Sequence, residues 1–239
     1  MNTALAIARR EFRTYFNSPI AYVVIGAFLL VAGWLYFGTL FLSGQASLRG
    51  FFSIAPVLFV VFAPAVTMRL VAEERKSGTI ELLLSMPLRE WEVVAGKFLA
   101  ALGMVAVGLV FTLPYPFTVA ALTAPGSSFD WGPAIAGYLG LLLMASSFLA
   151  LGLWASTVSR NQIVGFILAL LICLGFYLVD KVAVLLPDAA AEALTWLSVD
   201  YHFDNIARGV FDTRDLLFYV SLTAAGLLLT TRSLAATRQ

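Results

Sequence analysis

The sequence is poor in charged residues, which argues against most soluble protein classes. Only 12% of its 239 residues are charged and 61% are hydrophobic, whereas soluble domains have about 25% charged and about 45–50% apolar residues. Its 15 basic and 14 acidic residues leave a formal net charge of +1, so no long-range field would attract nucleic acid. We expect a membrane protein that is surrounded by lipid and has no nucleic-acid partner.

Metal ligands and catalytic motifs are scarce as well. Cys173 is the only cysteine and His202 the only histidine, which excludes a disulfide framework within one chain and leaves too few side chains for a thiolate or histidine metal site. The sequence has no G-x-x-x-x-G-K-[ST] phosphate loop, no H-E-x-x-H and no G-x-S-x-G. We expect no catalytic residue, no metal and no cofactor in this chain.

What the sequence does contain is six long apolar runs. Each approaches the length of about 20 residues that a transmembrane helix needs, and a helix satisfies its backbone amides within hydrocarbon. The first run is too long for a signal peptide and should remain as an anchor. We predict an all-α integral membrane protein, one transmembrane domain over residues 1–239, with spans at 20–42, 52–71, 98–122, 133–158, 163–186 and 216–234.

The positions of Lys and Arg predict that both termini are cytoplasmic, because basic residues near span ends are retained on that side. With the N-terminus inside, the outside would hold only Arg49, Lys181, Arg208 and Arg214. The inside would hold Arg9, Arg10, Arg13, Arg69, Arg75, Lys76, Arg89, Lys97, Arg160, Arg232 and Arg238.

Prolines interrupt the second and third predicted spans. Pro56 and Pro64 lie in the second span, and each should kink its helix. In the third span, Pro114, Tyr115 and Pro116 could form a hinge or a surface that faces a substrate. The alternative is a bent helix whose shape is set by its neighbours.

The connection between the second and third spans, residues 72–97, has two contrasting parts. Glu73, Glu74 and Arg75 form a charged start, and Gly78 should end the helix that precedes it. Thr79 would then begin a short helix whose apolar residues are too few to span; they include Ile80, Leu82, Leu83 and Leu84.

Such an apolar ridge can lie in the membrane interface or dock into a groove on another protein. Glu81 projects from it and would be costly in lipid, so we favour docking against a basic residue of a partner.

The N-terminal segment, residues 1–19, is predicted to form an amphipathic helix on the cytoplasmic leaflet. One face would carry Arg9, Arg10 and Arg13, and the apolar face would include Phe12 and Tyr15. This helix could anchor the chain in lipid or contact a partner ATPase.

Several of these segments resemble the ABC-2 family of ABC-transporter permeases. They are Ala8–Phe12, which includes Glu11, the segment Tyr15–Pro19, and the stretch Glu73–Glu81 with the boundary at Pro87. Within the family, the chain is most similar to the permease of the gliding-motility-type transporter. Tyr201–Asp215 resembles the segment that leads into the last span of that subfamily.

The resemblance implies a six-helix permease of the bacterial inner membrane. It would pair with a second permease, either in a homodimer or with a related membrane subunit that has or lacks a large extracytoplasmic domain. Two copies of a cytoplasmic ABC ATPase would supply the sites for ATP and Mg. The N-terminal helix would be an elbow helix and residues 79–85 a coupling helix. Short external helices within residues 187–215, with Tyr201, His202 and Phe203, would gate the outer end.

The leading function is export of an amphipathic substrate. Two alternatives remain open: a mechanotransmitter that passes ATP-driven motion to an extracytoplasmic partner without moving a solute, and an assembly subunit for periplasmic metal delivery. A secondary carrier is disfavoured because ionisable residues within the spans are nearly missing, with Asp180 and Lys181 close to the end of one.

Overall fold

The computed structural model describes residues 3–78, 89–123, 128–183 and 185–237, and these are helical with short connections. Within these ranges the helices are α1 (Thr3–Asn17), α2 (Pro19–Ser43), α3 (Arg49–Thr67), α4 (Ala72–Lys76), α5 (Glu90–Val110), α6 (Pro114–Leu122), α7 (Trp131–Val158), α8 (Gln162–Ala183), α9 (Asp188–Thr195), α10 (Val199–Ala207) and α11 (Thr213–Thr237).

Six of the described segments are long and apolar enough to cross a membrane, which confirms the predicted number of spans. They are Pro19–Ser43, Arg49–Lys76, Glu90–Leu122, Trp131–Val158, Gln162–Ala183 and Thr213–Ala236. The protein is therefore a multi-pass membrane protein. The short helices α9 and α10 lie between the fifth and sixth spans.

Helix α7 is the centre of the bundle. It packs against α3, α5, α8, α10 and α11. Of the residues in its apolar 18-residue stretch, 67% are buried inside the protein. Close packing depends on small residues, because a Cβ added at Gly152 would overlap with Thr67 Oγ1. By contrast, only 22% of the residues in the corresponding stretch of α2 are buried, and only 17% of those in α8 and in α11. These three helices leave most of their apolar surface to lipid or to another subunit.

The third span differs from the single kinked helix that the prolines suggested. Its first helix, α5, begins at Glu90, within the predicted 72–97 connection, and the backbone N–H of Arg89 donates to the Glu92 carboxylate at 3.1 Å, as in a capping box. The helix is interrupted at residues 111–113, and α6 begins with Pro114. Proline suits a first helical position because the missing N–H would have no partner there. In the second span, α3 continues through Pro56 and Pro64.

The connections fall at two opposite ends of the bundle. One end, which we call the α1 end, contains α1, α4, the turn at residues 159–161 and the C-terminus of α11. The other, which we call the α10 end, contains residues 44–48, residues 128–130, α9 and α10.

Candidate functional site

A buried lysine joins three helices at the α1 end. Lys97 of α5 is 2% exposed, and its Nζ lies 2.6 Å from Glu74 Oε1 of α4 and 3.4 Å from Glu11 Oε1 of α1. A buried ammonium group is stable only when opposite charges and hydrogen bonds compensate for the lost water. We call Glu11, Glu74 and Lys97 the charged junction.

Helix α4 is held against α7 by one hydroxyl group. The buried Ser156 Oγ accepts the backbone N–H groups of Val71 and Ala72, each at 3.2 Å, and donates to the Met68 carbonyl at 3.1 Å. These backbone groups lie where α3 ends and α4 begins, so they lack regular helical partners. Ser156 therefore fixes the position from which the connection to the third span departs.

An ion pair also sets the direction of α4. Arg69 Nε and Nη2 donate to the two Glu73 carboxylate oxygens at 2.8 and 2.9 Å. This two-pronged geometry fixes orientation better than a single contact. It holds Glu73 against the end of α3. The neighbouring Glu74 contacts Lys97.

Helix α1 packs directly on α5. A Cβ added at Gly96 would lie 2.6 Å from Ile7 Cγ2, and one at Gly103 would lie 3.2 Å from the Phe12 ring. At the far end of α1, the Tyr15 hydroxyl donates to the Val66 carbonyl at 2.8 Å. Burial raises the pKa of Tyr15 well above its usual range, so the hydroxyl keeps its proton.

Between α1, α4 and the end of α3 lies a cleft of about 350 Å³. Its acidic and basic lining residues are Arg10, Glu11, Arg69, Glu73, Glu74 and Lys97. Charged side chains of both signs therefore lie side by side in this cleft, and Lys97 is the buried one among them.

The structure brings together part of the predicted coupling segment and part of the predicted elbow. Glu73, Glu74 and Arg75 lie in α4, and Gly78 has a left-handed φ of +72°, which glycine adopts readily. The predicted coupling residues Thr79, Ile80, Glu81, Leu82, Leu83 and Leu84 lie outside the described residues.

In α1, Glu11 and Phe12 face the bundle partly buried, while the three arginines are exposed: Arg9, Arg10 and Arg13.

Lys97 and Ser156 are the residues that the sequence interpretation missed. In the sequence analysis, Lys97 served only as one of the basic residues that predict which side is cytoplasmic. It nevertheless lies at the start of an apolar segment, between Gly96 and Phe98. A lone lysine in such a segment must snorkel or find a carboxylate, which is the signal that could have singled it out. Ser156 gave no such signal.

The predicted gate residues lie towards the α10 end, mostly in packed surroundings. Tyr115 stacks on Tyr36 with ring centroids 5.5 Å apart and is also in contact with Phe51. This aromatic cluster continues from Phe51 through Phe52 to Phe203. Tyr115 and Phe203 are both buried within it.

Pro114 begins α6, and Pro116 lines an apolar groove of about 410 Å³ between α5, α6 and α7. In α10, Tyr201 is exposed and His202 is buried against Asp215. The role of all six residues as a gate remains a prediction.

The chain was compared with known proteins. A search of curated proteins gave no match. The sequence model of the family described as ABC-2 family transporter protein matches residues 5–197, which include most of α1, all of α4 and the charged junction. The chain therefore belongs to the ABC-2 family of transporter membrane proteins.

Proposed function

We propose that this chain is the membrane-spanning permease subunit of an ABC transporter, and that the charged junction transmits movement from a separate ATPase into the bundle. Membership in the ABC-2 family supports the first part, because its membrane subunits are generally non-catalytic and work with an ATPase on a partner chain. The buried contact of Lys97 with both Glu74 and Glu11 is the observation that carries the second part.

The α1 end is the cytoplasmic side in this proposal, since most of the basic residues at span ends lie there. Residues 79–85 then form the coupling helix that contacts the ATPase, and α1 is the elbow helix. ATP and Mg bind to two copies of the ATPase and not to this chain.

A push on the coupling segment would reach several helices at once. A movement of α4 would displace α5 and α1 through the contacts of Lys97 with Glu74 and Glu11, and it would displace α7 through the hydrogen bonds of Ser156. Tight packing at Gly96 and Gly152 leaves little room for these elements to slide independently. They would therefore move as one body, which is the kind of rigid-body switch that a nucleotide can bias.

The other end of the third span is better suited to relative motion. Residues 111–113 interrupt the helix between α5 and α6, and a break of this kind can act as a hinge. A second permease would pack on the apolar surface that α2, α8 and α11 leave open, in a bacterial inner membrane. The exported substrate would be amphipathic, and the gliding-motility-type transporter remains the subfamily that we favour.

The test uses the chain purified together with its own ATPase in lipid nanodiscs. Lys97→Met removes the junction's positive charge and retains most of the side-chain volume; Lys76→Met removes an exposed charge from α4 as a matched control. We expect Lys97→Met to retain the bound ATPase but to lower the permease-dependent stimulation of ATP hydrolysis by about fivefold or more. Full stimulation in this variant would remove the junction from the mechanism. Full activity of the chain without any ATPase would overturn the proposed function itself.

A further inference from the structure

A small polar pocket lies at the α10 end, between the end of α2 and the start of α3. Its volume is about 230 Å³, and Arg49 is the only residue of its lining that carries a full charge. The other polar side chains of the lining belong to Tyr36, Thr39, Ser43, Gln45 and Ser47. The proposed function does not use this pocket.

The pocket lies at the level of the lipid headgroups. Ser43 ends the first membrane-spanning segment, and Arg49 begins the second. The connection between these two residues therefore lies in the polar interface, directly beside the hydrocarbon region. Anions at this level include the phosphate groups of the surrounding lipids.

Arg49 is exposed and has no acidic or aromatic partner among the described side chains. The other basic residues of the α10 end are engaged: Lys181 contacts two aspartates, Arg208 lies 3.8 Å from one, and Arg214 lies over a tryptophan ring. A guanidinium group binds phosphate oxygens through two parallel N–H groups. The pocket therefore offers a positive charge that the described part of the chain does not neutralise.

The hydroxyl groups of the pocket use their hydrogens within the chain. Thr39 Oγ1 donates to the Tyr36 carbonyl at 2.8 Å, and the Tyr36 hydroxyl donates to the Ser47 carbonyl at 3.1 Å. Ser43 Oγ donates to the Leu40 carbonyl at 3.3 Å. Because a hydroxyl group has one hydrogen and two lone pairs, these oxygens can accept hydrogen bonds from a ligand. The pocket therefore suits an anion that carries hydrogen-bond donors of its own.

Charge and hydrogen bonding together select among phospholipid headgroups. An ethanolamine headgroup would supply donors, but its ammonium group would lie beside Arg49 with no carboxylate in the lining to balance it. A glycerol headgroup retains the negative charge of the phosphate and adds two hydroxyl donors without a second positive charge. The lining therefore favours phosphatidylglycerol.

Exposed apolar side chains beside the pocket favour a lipid over a free phosphate ion. Phe41 and Leu42 lie between the lining residues Leu40 and Ser43, and they are 72% and 91% exposed. The acyl chains of a lipid whose phosphate lies in the pocket would cover apolar surface of this kind. A free phosphate ion would leave it uncovered.

We propose that the pocket between α2 and α3 binds the headgroup of phosphatidylglycerol. The Arg49 guanidinium binds the phosphate, and the oxygens of Thr39 and Tyr36 accept the hydroxyl groups of the glycerol. The acyl chains lie along the end of α2. This site goes beyond the proposed function, because it involves neither the ATPase nor the charged junction.

The test counts the lipids bound to the full chain by native mass spectrometry after release from detergent micelles. Three lipids with identical acyl chains are added in turn: phosphatidylglycerol, phosphatidylethanolamine and phosphatidylmethanol, which has the phosphate but no hydroxyl group. We expect the first phosphatidylglycerol to bind about fivefold or more tightly than either of the others. Equal affinity for phosphatidylglycerol and either of the others would overturn the proposal. Displacement of the lipid by inorganic phosphate at a similar concentration would overturn the assignment of the site to a lipid.

The substitution Arg49→Gln separates the pocket from a general attraction between the protein and anionic lipid. We expect it to weaken binding of phosphatidylglycerol about tenfold or more, because a charge-assisted contact is lost. The matched control is Arg208→Gln, which removes an exposed positive charge from the same end and should leave the affinity unchanged. Equal weakening in the two variants would show that net charge, and not the pocket, holds the lipid.

The substitution Thr39→Val tests the recognition of the glycerol. It retains the shape of the side chain but removes an acceptor, so it should reduce the preference for phosphatidylglycerol over phosphatidylmethanol by about threefold or more. An unchanged preference would overturn the role of the Thr39 hydroxyl. All of these measurements use the chain without its ATPase, so failure of this lipid site and failure of the transport proposal are distinguishable.

Discussion

Lys97 Nζ lies 2.6 Å from Glu74 Oε1 across 23 positions of sequence, and this contact joins helix α4 to the third span. The ammonium group is more buried than either of its carboxylate partners, whose side chains are 22% exposed for Glu74 and 14% for Glu11. Lys97 therefore depends on both of them, and each carboxylate depends less on the lysine.

The two carboxylates of the junction should differ in importance. Glu74→Gln removes the 2.6 Å contact and should lower the free energy of unfolding by about 2 kcal/mol, whereas Glu11→Gln removes the 3.4 Å contact and should cost about 1 kcal/mol or less. Thermal unfolding in mild detergent measures both, with Lys76→Met as an exposed control. A larger effect of Glu11→Gln would show that α1, and not α4, supplies the main counter-charge.

The seat of α1 on α5 can be tested with a single methyl group. Gly96→Ala would place a Cβ 2.6 Å from Ile7 Cγ2 and 2.9 Å from the Ala4 carbonyl, so we expect α1 to shift and stability to fall by about 1–3 kcal/mol. The matched control is Gly175→Ala in α8, where the added Cβ has nothing within 4 Å and alanine's higher helix propensity should be neutral or favourable. Thermal unfolding measures the loss of stability, and protease cleavage within α1 measures the shift of that helix. Equal behaviour of the two variants would contradict the close contact.

Removing the hydroxyl of Ser156 should loosen α4. Ser156→Ala leaves the backbone N–H groups of Val71 and Ala72 without their acceptor, which costs about 1–3 kcal/mol when such groups stay buried. Hydrogen exchange should become faster at these two amides. Ser53→Ala is the control, because its exposed hydroxyl bonds only to the Arg49 carbonyl of the same helix. Unchanged protection at Val71 and Ala72 would show that another group holds α4.

The orientation of the bundle has a direct test. Ser77 and Ser128 are exposed and lie at opposite ends of the bundle, so cysteines at these positions should react with a membrane-impermeant reagent from opposite sides of the membrane. The position 77 label should require access to the cytoplasm. Cys173 is buried and can be replaced by alanine to lower the background. Reaction of both sites from the same side would overturn the assignment of the two ends.

The third span shows why local sequence signals gave only part of the fold. Pro114 and Pro116 indicated a disturbance in the right region, but proline restricts its own φ without deciding whether a helix bends or stops. At the interruption, Pro116 has no N–H for the carbonyl of Thr112 four residues earlier, and this carbonyl instead accepts the Tyr138 hydroxyl of α7 at 2.8 Å. That partner lies 26 positions away and is invisible to local periodicity.

The sequence alone determined that this protein has six spans, because the hydrocarbon thickness sets the length of an apolar run that can cross it. Only the tertiary structure decided the roles of Lys97, Ser156 and His202. Each of these side chains is satisfied by groups that are distant in sequence, and their pairing follows from how the helices pack. Apolar composition specifies that a helix is buried in lipid or protein, while a buried polar group specifies which neighbour it must meet.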